Sequence, residues 1–298
     1  MKKYILYSML LALSVSSLTS CSEDSLDDHS IIKSSQTEDN AFDKWLTANY
    51  INPYNIRFEY RYDDNETDMD YFNVPADYDK AVKLAHIVKY ACIEAYDAVG
   101  GVAFTRNYFP KLLYTTGEFE YRNNGTMILG TAEGGRKIFL AGTNKLDTYG
   151  STRDGLNEYY LKTIHHEFTH ILNQTKDYSP SFQFITGSSY LLDDWSSDEG
   201  KSGYLTRGFI TAYSQYSPTE DFAEMLSTYL TNPQSKWDSW MTSAGTEGAS
   251  LIGQKLEVVR NYMKDSWHID IDKLRDEILK REDDVVKGKV DLTDLTVK

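Results

Sequence analysis

The stretch His165-His166-Glu167-Phe168-Thr169-His170 decides how the rest of the chain is interpreted. It contains the pattern HExxH, whose chemically active members are His166, Glu167 and His170. On an α-helix, residues four apart project from the same face, so both imidazoles reach one metal ion. Glu167 lies about 100° further round that helix, where its carboxylate can hold a water beside the metal without being a ligand. The pattern predicts a zinc site with Glu167 as the general base.

The residues around the motif predict the helix that it requires. Apolar residues recur at spacings of three and four beside the His/Glu face: Leu156, Tyr160, Ile164, Phe168, Ile171 and Leu172. Ser151, Thr152 and Asp154 are candidates for the N-cap at its start.

Two histidines and a water leave a tetrahedral zinc ion one protein ligand short. Residues 171–176 lack the glycine and histidine of the metzincin continuation, so the third ligand must come from elsewhere. The stretch Glu220-Asp221-Phe222-Ala223-Glu224 supplies two acids at i and i+4. On one helix face, Glu220 can bind zinc while Glu224 holds a histidine through its free ring nitrogen. The alternative is an acidic first helical turn, favoured by the helix dipole.

The order of these motifs resembles that of the gluzincins with a long insert between their two helices. HEFTH is followed 50 residues later by EDFAE, similar to HEFGH and EFFAE in anthrax lethal factor. The resemblance implies that Glu220 binds zinc, that Glu224 supports a histidine, and that a tyrosine seven residues before Glu220 stabilises the transition state. That tyrosine is Tyr213, and Tyr216, four residues before Glu220, is the competing candidate.

A second resemblance covers nearly the whole chain after its first 21 residues. The chain is similar to the zinc-binding metallopeptidases described as substrate import-associated zinc metallohydrolase lipoproteins. The stretches that carry this resemblance are residues 61–68 and 129–137, the HExxH helix, the EDFAE segment and residues 269–275. It implies one zinc ion per chain, peptidase activity and a lipid anchor.

The predicted fold is α+β and zincin-like, with a small mixed sheet over the HExxH helix and a helical C-terminal lobe. The predicted strands cover residues 55–62, 111–116, 126–130 and 137–140. One of the last two is expected to be the sheet edge that binds extended substrate through its backbone. The predicted helices outside the two motifs cover residues 76–99, 251–264 and 272–281.

The predicted domain spans residues 41–298. It comprises an N-terminal α+β lobe to about residue 174, an insert at 175–212 and a C-terminal helical lobe at 213–285. The insert is rich in Ser, Gly and aromatic residues. It shapes substrate pockets or acts as a lid, or else it forms a packed irregular layer.

The first 21 residues predict export. A lysine pair precedes an apolar run, residues 4–18, that is short for a bilayer span. Leu18-Thr19-Ser20-Cys21 resembles a bacterial lipobox, which implies cleavage before Cys21 and its lipidation; an ordinary signal peptide is the alternative. The acidic, polar residues 22–40 predict a flexible tether. These features predict an outer-membrane lipoprotein of a Gram-negative bacterium, exposed on the cell surface.

Charge and cysteine content narrow the class of protein further. The net charge is −14 and no basic cluster occurs, which excludes nucleic-acid binding. With Cys21 lipidated, Cys92 has no disulfide partner and is expected to be buried as a small apolar residue.

The combined prediction is a cell-surface zinc metallopeptidase that cleaves peptide or protein substrates for nutrient uptake. Two alternatives stay open. One is a zinc amidohydrolase acting on glycopeptides. The other is a non-catalytic zinc-containing lipoprotein that binds substrate for a TonB-dependent importer. Glu167 counts against the second alternative, because a purely structural zinc site needs no base beside an open coordination position.

Overall fold

The structure of the chain is a computed structural model that describes residues 39–68, 70–122, 125, 127–133, 136–198 and 201–297. The predicted signal segment and nearly all of the predicted tether lie outside these residues. Asn40–Lys298 forms one compact unit. Within the described ranges, no helix has the length and apolar character needed to cross a membrane.

In the described ranges, six short strands form a four-stranded sheet and a separate hairpin. They are β1 (Arg57–Glu59), β2 (Leu112–Thr115), β3 (Glu120–Tyr121), β4 (Met127–Ile128), β5 (Gly130–Glu133) and β6 (Lys137–Leu140). The sheet has the order β1-β2-β6-β5, in which β1, β2 and β6 are parallel and β5 is antiparallel. The hairpin pairs β3 with β4. The sheet is therefore small and mixed, as predicted.

The edge strand differs from the prediction. Residues 137–140 do form a strand, but it lies inside the sheet between β2 and β5. The edges are β1 and β5, and β5 shares only Gly130 with the predicted strand at 126–130. Met127 and Ile128 of that stretch belong to β4, and the chain changes partner at Leu129, from the hairpin to β6. The continuous apolar run Met127-Ile128-Leu129 gave no sign of this break.

Thirteen α-helices are found in the described residues. They are α1 (Ala41–Leu46), α2 (Asn52–Tyr54), α3 (Tyr78–Ile87), α4 (Glu94–Gly100), α5 (Val102–Tyr108), α6 (Leu146–Tyr149), α7 (Arg153–Leu156), α8 (Lys162–Thr175), α9 (Ser181–Thr186), α10 (Gly203–Thr206), α11 (Pro218–Thr231), α12 (Gln234–Trp267) and α13 (Ile271–Val286). Wider π-helical turns join α1 to α2, α3 to α4 and α7 to α8.

The helices predicted outside the motifs are confirmed, with changed bounds. The predicted helix at 76–99 is α3 and α4 joined by a π-helical turn, and Gly101 at φ 81° ends it. α12 begins at Gln234, well before the predicted residue 251. Gly245 at φ 68° divides it into two helical pieces, and the predicted helix lies within the second piece. Its first piece is rich in Ser, Thr and Gly and shows weak apolar periodicity.

The HExxH helix lies against the sheet edge. The side chain of Thr152 caps α7 by accepting from Gly155 N at 3.1 Å, and all six predicted stripe residues are buried. The Tyr160 hydroxyl donates to Gly142 O at 2.9 Å beyond the end of β6. A Cβ at Gly130 would lie 2.6 Å from the Thr163 methyl group, so only glycine permits this approach. Burial of the stripe leaves the opposite face of α8 for the histidines.

α13 carries a buried acid, Glu282, that sets an expected pH dependence of stability. Asn157 donates to Glu282 Oε2 at 2.9 Å, while Glu282 Oε1 and Asn157 Oδ1 find no partner in the described part of the chain. Burial raises the pKa of Glu282 from 4.5 to about 8. The folded state therefore binds this proton more tightly than the unfolded state. The resulting stabilisation is full below pH 4.5 and is lost as the pH rises through about 8.

Replacing Glu282 with glutamine should remove this dependence. The new amide is neutral at every pH and can donate to the unpartnered Asn157 Oδ1. We expect a similar free energy of unfolding at pH 5 and a gain on the order of 3–5 kcal/mol at pH 9, measured by urea unfolding. Asp276→Asn, at an exposed acid on the same helix, is the control and should change little. A difference that is constant between pH 5 and 9 would contradict the expectation.

Candidate metal centre and substrate cleft

Three side-chain atoms from α8 and α11 converge on one point. His166 Nε2 lies 3.1 Å from His170 Nε2 and 3.0 Å from Glu220 Oε2, and His170 Nε2 lies 3.3 Å from Glu220 Oε2. Atoms that bind one tetrahedral zinc ion at about 2.0–2.1 Å are separated by roughly 3.3 Å. The triangle of these three atoms has the size of a zinc site. His166, His170 and Glu220 are also the three ligands predicted from the sequence.

Glu224 orients the first of these histidines. It accepts a hydrogen bond from His166 Nδ1 at 2.9 Å, and because a carboxylate only accepts, the ring proton lies on Nδ1. When the ring is neutral, Nε2 carries the lone pair, and this atom faces His170 and Glu220. Lys162 Nζ and the Thr211 hydroxyl each donate to Glu224 Oε2 at 2.7 Å. Such support fixes the orientation and basicity of a metal-binding imidazole.

The centre favours a positive charge. Burial lowers the pKa of His166, but its hydrogen bonds to Glu220 and Glu224 raise that pKa to about 10. Burial raises the pKa of Glu220, but the two histidines outweigh it and hold that pKa below its usual range. A proton, or a divalent cation in its place, satisfies the facing acceptors. Two imidazoles and one carboxylate are a donor set that zinc prefers, so the residues fit the metal.

Comparison with known proteins agrees with this geometry. Residues 35–272 match the family described as "Putative zinc-binding metallo-peptidase". The chain belongs to this family. It is similar to the crystal structure of a zinc-binding metallo-peptidase of that same description from Bacteroides caccae, with 42% identity and a TM-score of 0.75 over 90% of this chain and 100% of that one. No curated protein matches the chain.

These comparisons confirm the family resemblance drawn from the sequence and identify zinc as the metal that the family is described as binding. They also show that the helix-rich fold with its small sheet is that of a zinc-binding metallopeptidase. The likeness to anthrax lethal factor stays a prediction.

The acidic segment Glu220-Asp221-Phe222-Ala223-Glu224 lies at the start of α11. Ser217 caps the helix by accepting from Glu220 N at 3.3 Å, and Pro218 is its first residue. Glu220 lies in the first turn and Glu224 one turn later, on the face turned to α8. The observed segment combines both interpretations, since its acids favour the helix start and also meet the histidines.

A buried ion pair holds the same helix from behind. Asp221 Oδ2 lies 2.5 Å from Lys255 Nζ on α12, and both side chains are 0% exposed. The Tyr190 hydroxyl of the insert donates to Asp221 Oδ2 at 2.9 Å, and Lys255 donates to Gly208 O at 2.9 Å. The Phe209 ring centroid is 3.9 Å from Lys255 Nζ. One lysine therefore ties α12, the insert and the Glu220 helix together.

The first histidine of HHEFTH is a core residue. His165 is fully buried, and its Nδ1 lies 3.0 Å from the Tyr96 hydroxyl. Burial lowers the pKa of His165 to about 3, so the ring is neutral. Cys92 is buried beside it, with Sγ 3.7 Å from His165 Nε2, and burial raises the pKa of its thiol. The prediction of Cys92 as a buried small residue is confirmed.

Tyr213 has the better position of the two candidate tyrosines. Its ring centroid lies 6.0 Å from that of His166, in the 3₁₀ turn Tyr213–Gln215 before α11. Burial and the nearby carboxylates of Glu220 and Glu224 raise the pKa of Tyr213 well above its ordinary value, so the phenol keeps its proton. The Tyr216 ring is nearly parallel to that of Tyr213, with the two ring centroids 5.9 Å apart.

Two cavities flank the metal triad. The aromatic cavity, of about 1020 Å³, has a wall of Met127, Ile128, Leu129, Trp195 and Tyr204. The polar cavity, of about 870 Å³, is lined by Asn173, Gln174, Asp177, Gln183 and Thr219. Four residues line both cavities: Arg122, Gly130, Glu167 and Tyr213. The two cavities therefore meet beside Glu167, whereas Tyr216 is not among the residues that line either one.

The insert has both of the roles considered for it. Phe182, Leu205 and Phe209 are buried and form a packed layer. Trp195 and Tyr204, from the same segment, line the aromatic cavity. One part of the insert therefore packs into the interior, and another part lines the cleft.

Several contributors to the site were missed from the sequence. Lys162 had a signal, because it precedes His166 by four residues on the predicted helix and so shares its face. Arg122, which follows β3, and Thr211 in the insert had none, because only long-range packing brings irregular segments to the motif.

Proposed function

We propose that this protein is a zinc-dependent metallopeptidase in which Glu167 is the general base. The observation that carries the proposal is the position of Glu167, beside the triad and at the meeting point of two substrate-sized cavities. A purely structural zinc site is closed by four protein ligands. Here three ligand atoms converge at the base of a cleft, with an acid next to them.

The residues divide the reaction between them. His166, His170 and Glu220 would hold zinc, which supplies Lewis acidity to a water and to the scissile carbonyl. Glu167 accepts the proton of the attacking water and delivers it to the amide nitrogen as the C–N bond breaks. Tyr213 donates a hydrogen bond to the oxyanion of the tetrahedral intermediate. Glu224 keeps the His166 ring in its orientation throughout.

The sheet edge supports a peptide as the substrate. β5 pairs with β6 on one side, and among the described strands it has no partner on the other. Gly130, its first residue, lines both cavities. An extended peptide can add to such an edge through backbone hydrogen bonds.

Replacing Tyr213 with phenylalanine tests the assignment of the oxyanion donor. We expect kcat to fall by about 10²–10³-fold with little change in KM, because the lost hydrogen bond forms in the transition state. Tyr216→Phe is the matched control and should retain most activity. A larger loss in Tyr216→Phe than in Tyr213→Phe would reverse the assignment.

We also propose that the enzyme acts at the surface of the outer membrane and releases peptides for a TonB-dependent importer. The lipobox-like Leu18-Thr19-Ser20-Cys21 and the acidic residues after it support this location. Radiolabelled palmitate should be incorporated by the wild type and not by Cys21→Ala in the producing cells. Equal labelling of both proteins would contradict the lipid anchor.

A further inference from the structure

The reacting centre lies in the middle of the cleft. Arg122, Gly130, Glu167 and Tyr213 line the cavities on both sides of it, so no residue in the described part of the chain closes either side next to Glu167. Each cavity is near the upper end of the roughly 300–1,000 Å³ that accommodates a drug-sized ligand. Each side can therefore hold more than one residue of a bound chain.

The outer ends of both cavities reach solvent. Lys201 is an exposed lining residue of the aromatic cavity, and Gln174 and Asp177 are exposed lining residues of the polar cavity. A chain that enters along one cavity can leave along the other without ending inside the cleft.

The aromatic cavity has one apolar wall within an otherwise polar lining, and this wall can pack against a large apolar side chain. Met127 and Ile128 of β4 form one wall, and Trp195 forms another. The Trp195 ring packs against Tyr213 with centroids 4.9 Å apart at 73°, which fixes the wall beside the reacting centre. Among the other charged residues of this cavity, Lys162 is paired with Glu224, and Glu158 and Lys201 are exposed to solvent.

The polar cavity differs in that Tyr178, Pro180 and the shared Tyr213 and Gly130 are the less polar members of its described lining, with no wall like that of Met127 and Trp195. The amides of Asn173, Gln174 and Gln183 line it, together with the carboxylate of Asp177. Asp177 forms no ion pair with any described residue. Lys and Arg side chains offer donors to all of these groups and a charge opposite to that of Asp177.

We propose that the cleft binds an internal segment of an extended polypeptide, with a large apolar side chain in the aromatic cavity and a basic or polar side chain in the polar cavity. The protein is then an endopeptidase with a preference on each side of the scissile bond. This inference rests on the proposed peptidase function.

The test uses the full-length zinc-loaded protein and a peptide library acetylated at the N-terminus and amidated at the C-terminus. Cleavage sites are read by mass spectrometry, with Glu167→Gln as the blank. We expect cleavage at interior bonds, and kcat/KM of a preferred peptide that changes less than about threefold when its ends are unblocked. We also expect large apolar residues enriched on one side of the bond and Lys or Arg on the other.

Two variants of exposed residues, neither of them part of the catalytic group, assign the two sides. Met127→Lys should reduce the apolar preference by about tenfold and leave the basic preference unchanged. Asp177→Lys should reverse the Lys-over-Glu preference by about tenfold and leave the apolar preference unchanged. Cleavage restricted to terminal residues, or variants that change both sides equally, would overturn this inference alone. No Glu167-dependent cleavage of any peptide would overturn the peptidase function as well.

Discussion

Replacing Glu167 with glutamine is expected to lower peptide hydrolysis by about 10²–10⁴-fold while the protein keeps its zinc. The amide has nearly the shape of the carboxylate but cannot take a proton from water. It is not one of the three converging ligands, so the metal site stays intact. Zinc content by elemental analysis and kcat/KM on one cleaved peptide, both measured on the same preparation, check the two halves of this expectation.

Glu158→Gln is the matched control for this variant. Glu158 also lines the aromatic cavity but does not lie at the junction with the polar cavity, so its loss should alter kcat/KM by less than about threefold. If wild type and Glu167→Gln both bind zinc and cleave the peptide equally, Glu167 has no part in the mechanism. If wild type and Glu167→Gln both bind zinc and neither cleaves any peptide, the result would favour the interpretation of the chain as a non-catalytic binding protein.

Replacing Lys255 with methionine should lower the free energy of unfolding by about 3–5 kcal/mol. The substitution leaves the Asp221 carboxylate buried without its cation, and burial already raises the pKa of Asp221 to about 6. It also removes the donor to Gly208 O. Urea unfolding of the zinc-free protein at pH 7 measures the loss without the stabilisation that bound metal adds.

A second substitution distinguishes the stability lost to the unpaired Asp221 charge from the stability lost to missing packing of the Lys255 side chain. In Lys255→Met/Asp221→Asn the uncharged amide still accepts from the Tyr190 hydroxyl, so most of the stability should return. Lys264→Met, at an exposed lysine on the same helix, should change stability by less than about 0.5 kcal/mol. A double variant as unstable as Lys255→Met would show that the lysine stem, and not the ion pair, stabilises this region.

The metal triad could be predicted because its geometry is mostly local. His166 and His170 lie one turn apart, and the buried stripe and the Thr152 cap define their helix within 25 residues of sequence. Glu220 is distant in the chain, yet its pairing with Glu224 at i+4 marked it as a helical metal-binding segment. Such periodic patterns predict helices well because the backbone hydrogen bonds of a helix join residues that are close in sequence.

The edge strand and the cleft walls could not be predicted in the same way. Strand order depends on which segments pair across the whole domain, and a two-residue strand such as β4 has almost no pattern of its own. Lys255 occurs in an ordinary helical sequence, and only the packed molecule shows that Asp221 lies opposite it. The walls of the cleft come from a hairpin and an insert whose positions depend on those long-range contacts.

The central claim is that His166, His170 and Glu220 bind one zinc ion, and crystallography of the zinc-loaded wild type tests it most directly. Anomalous difference maps from data collected on either side of the zinc absorption edge should show one strong peak, about 2.0–2.2 Å from His166 Nε2, His170 Nε2 and a Glu220 carboxylate oxygen. A strong zinc peak elsewhere in the molecule, with none between these three side chains, would contradict the account.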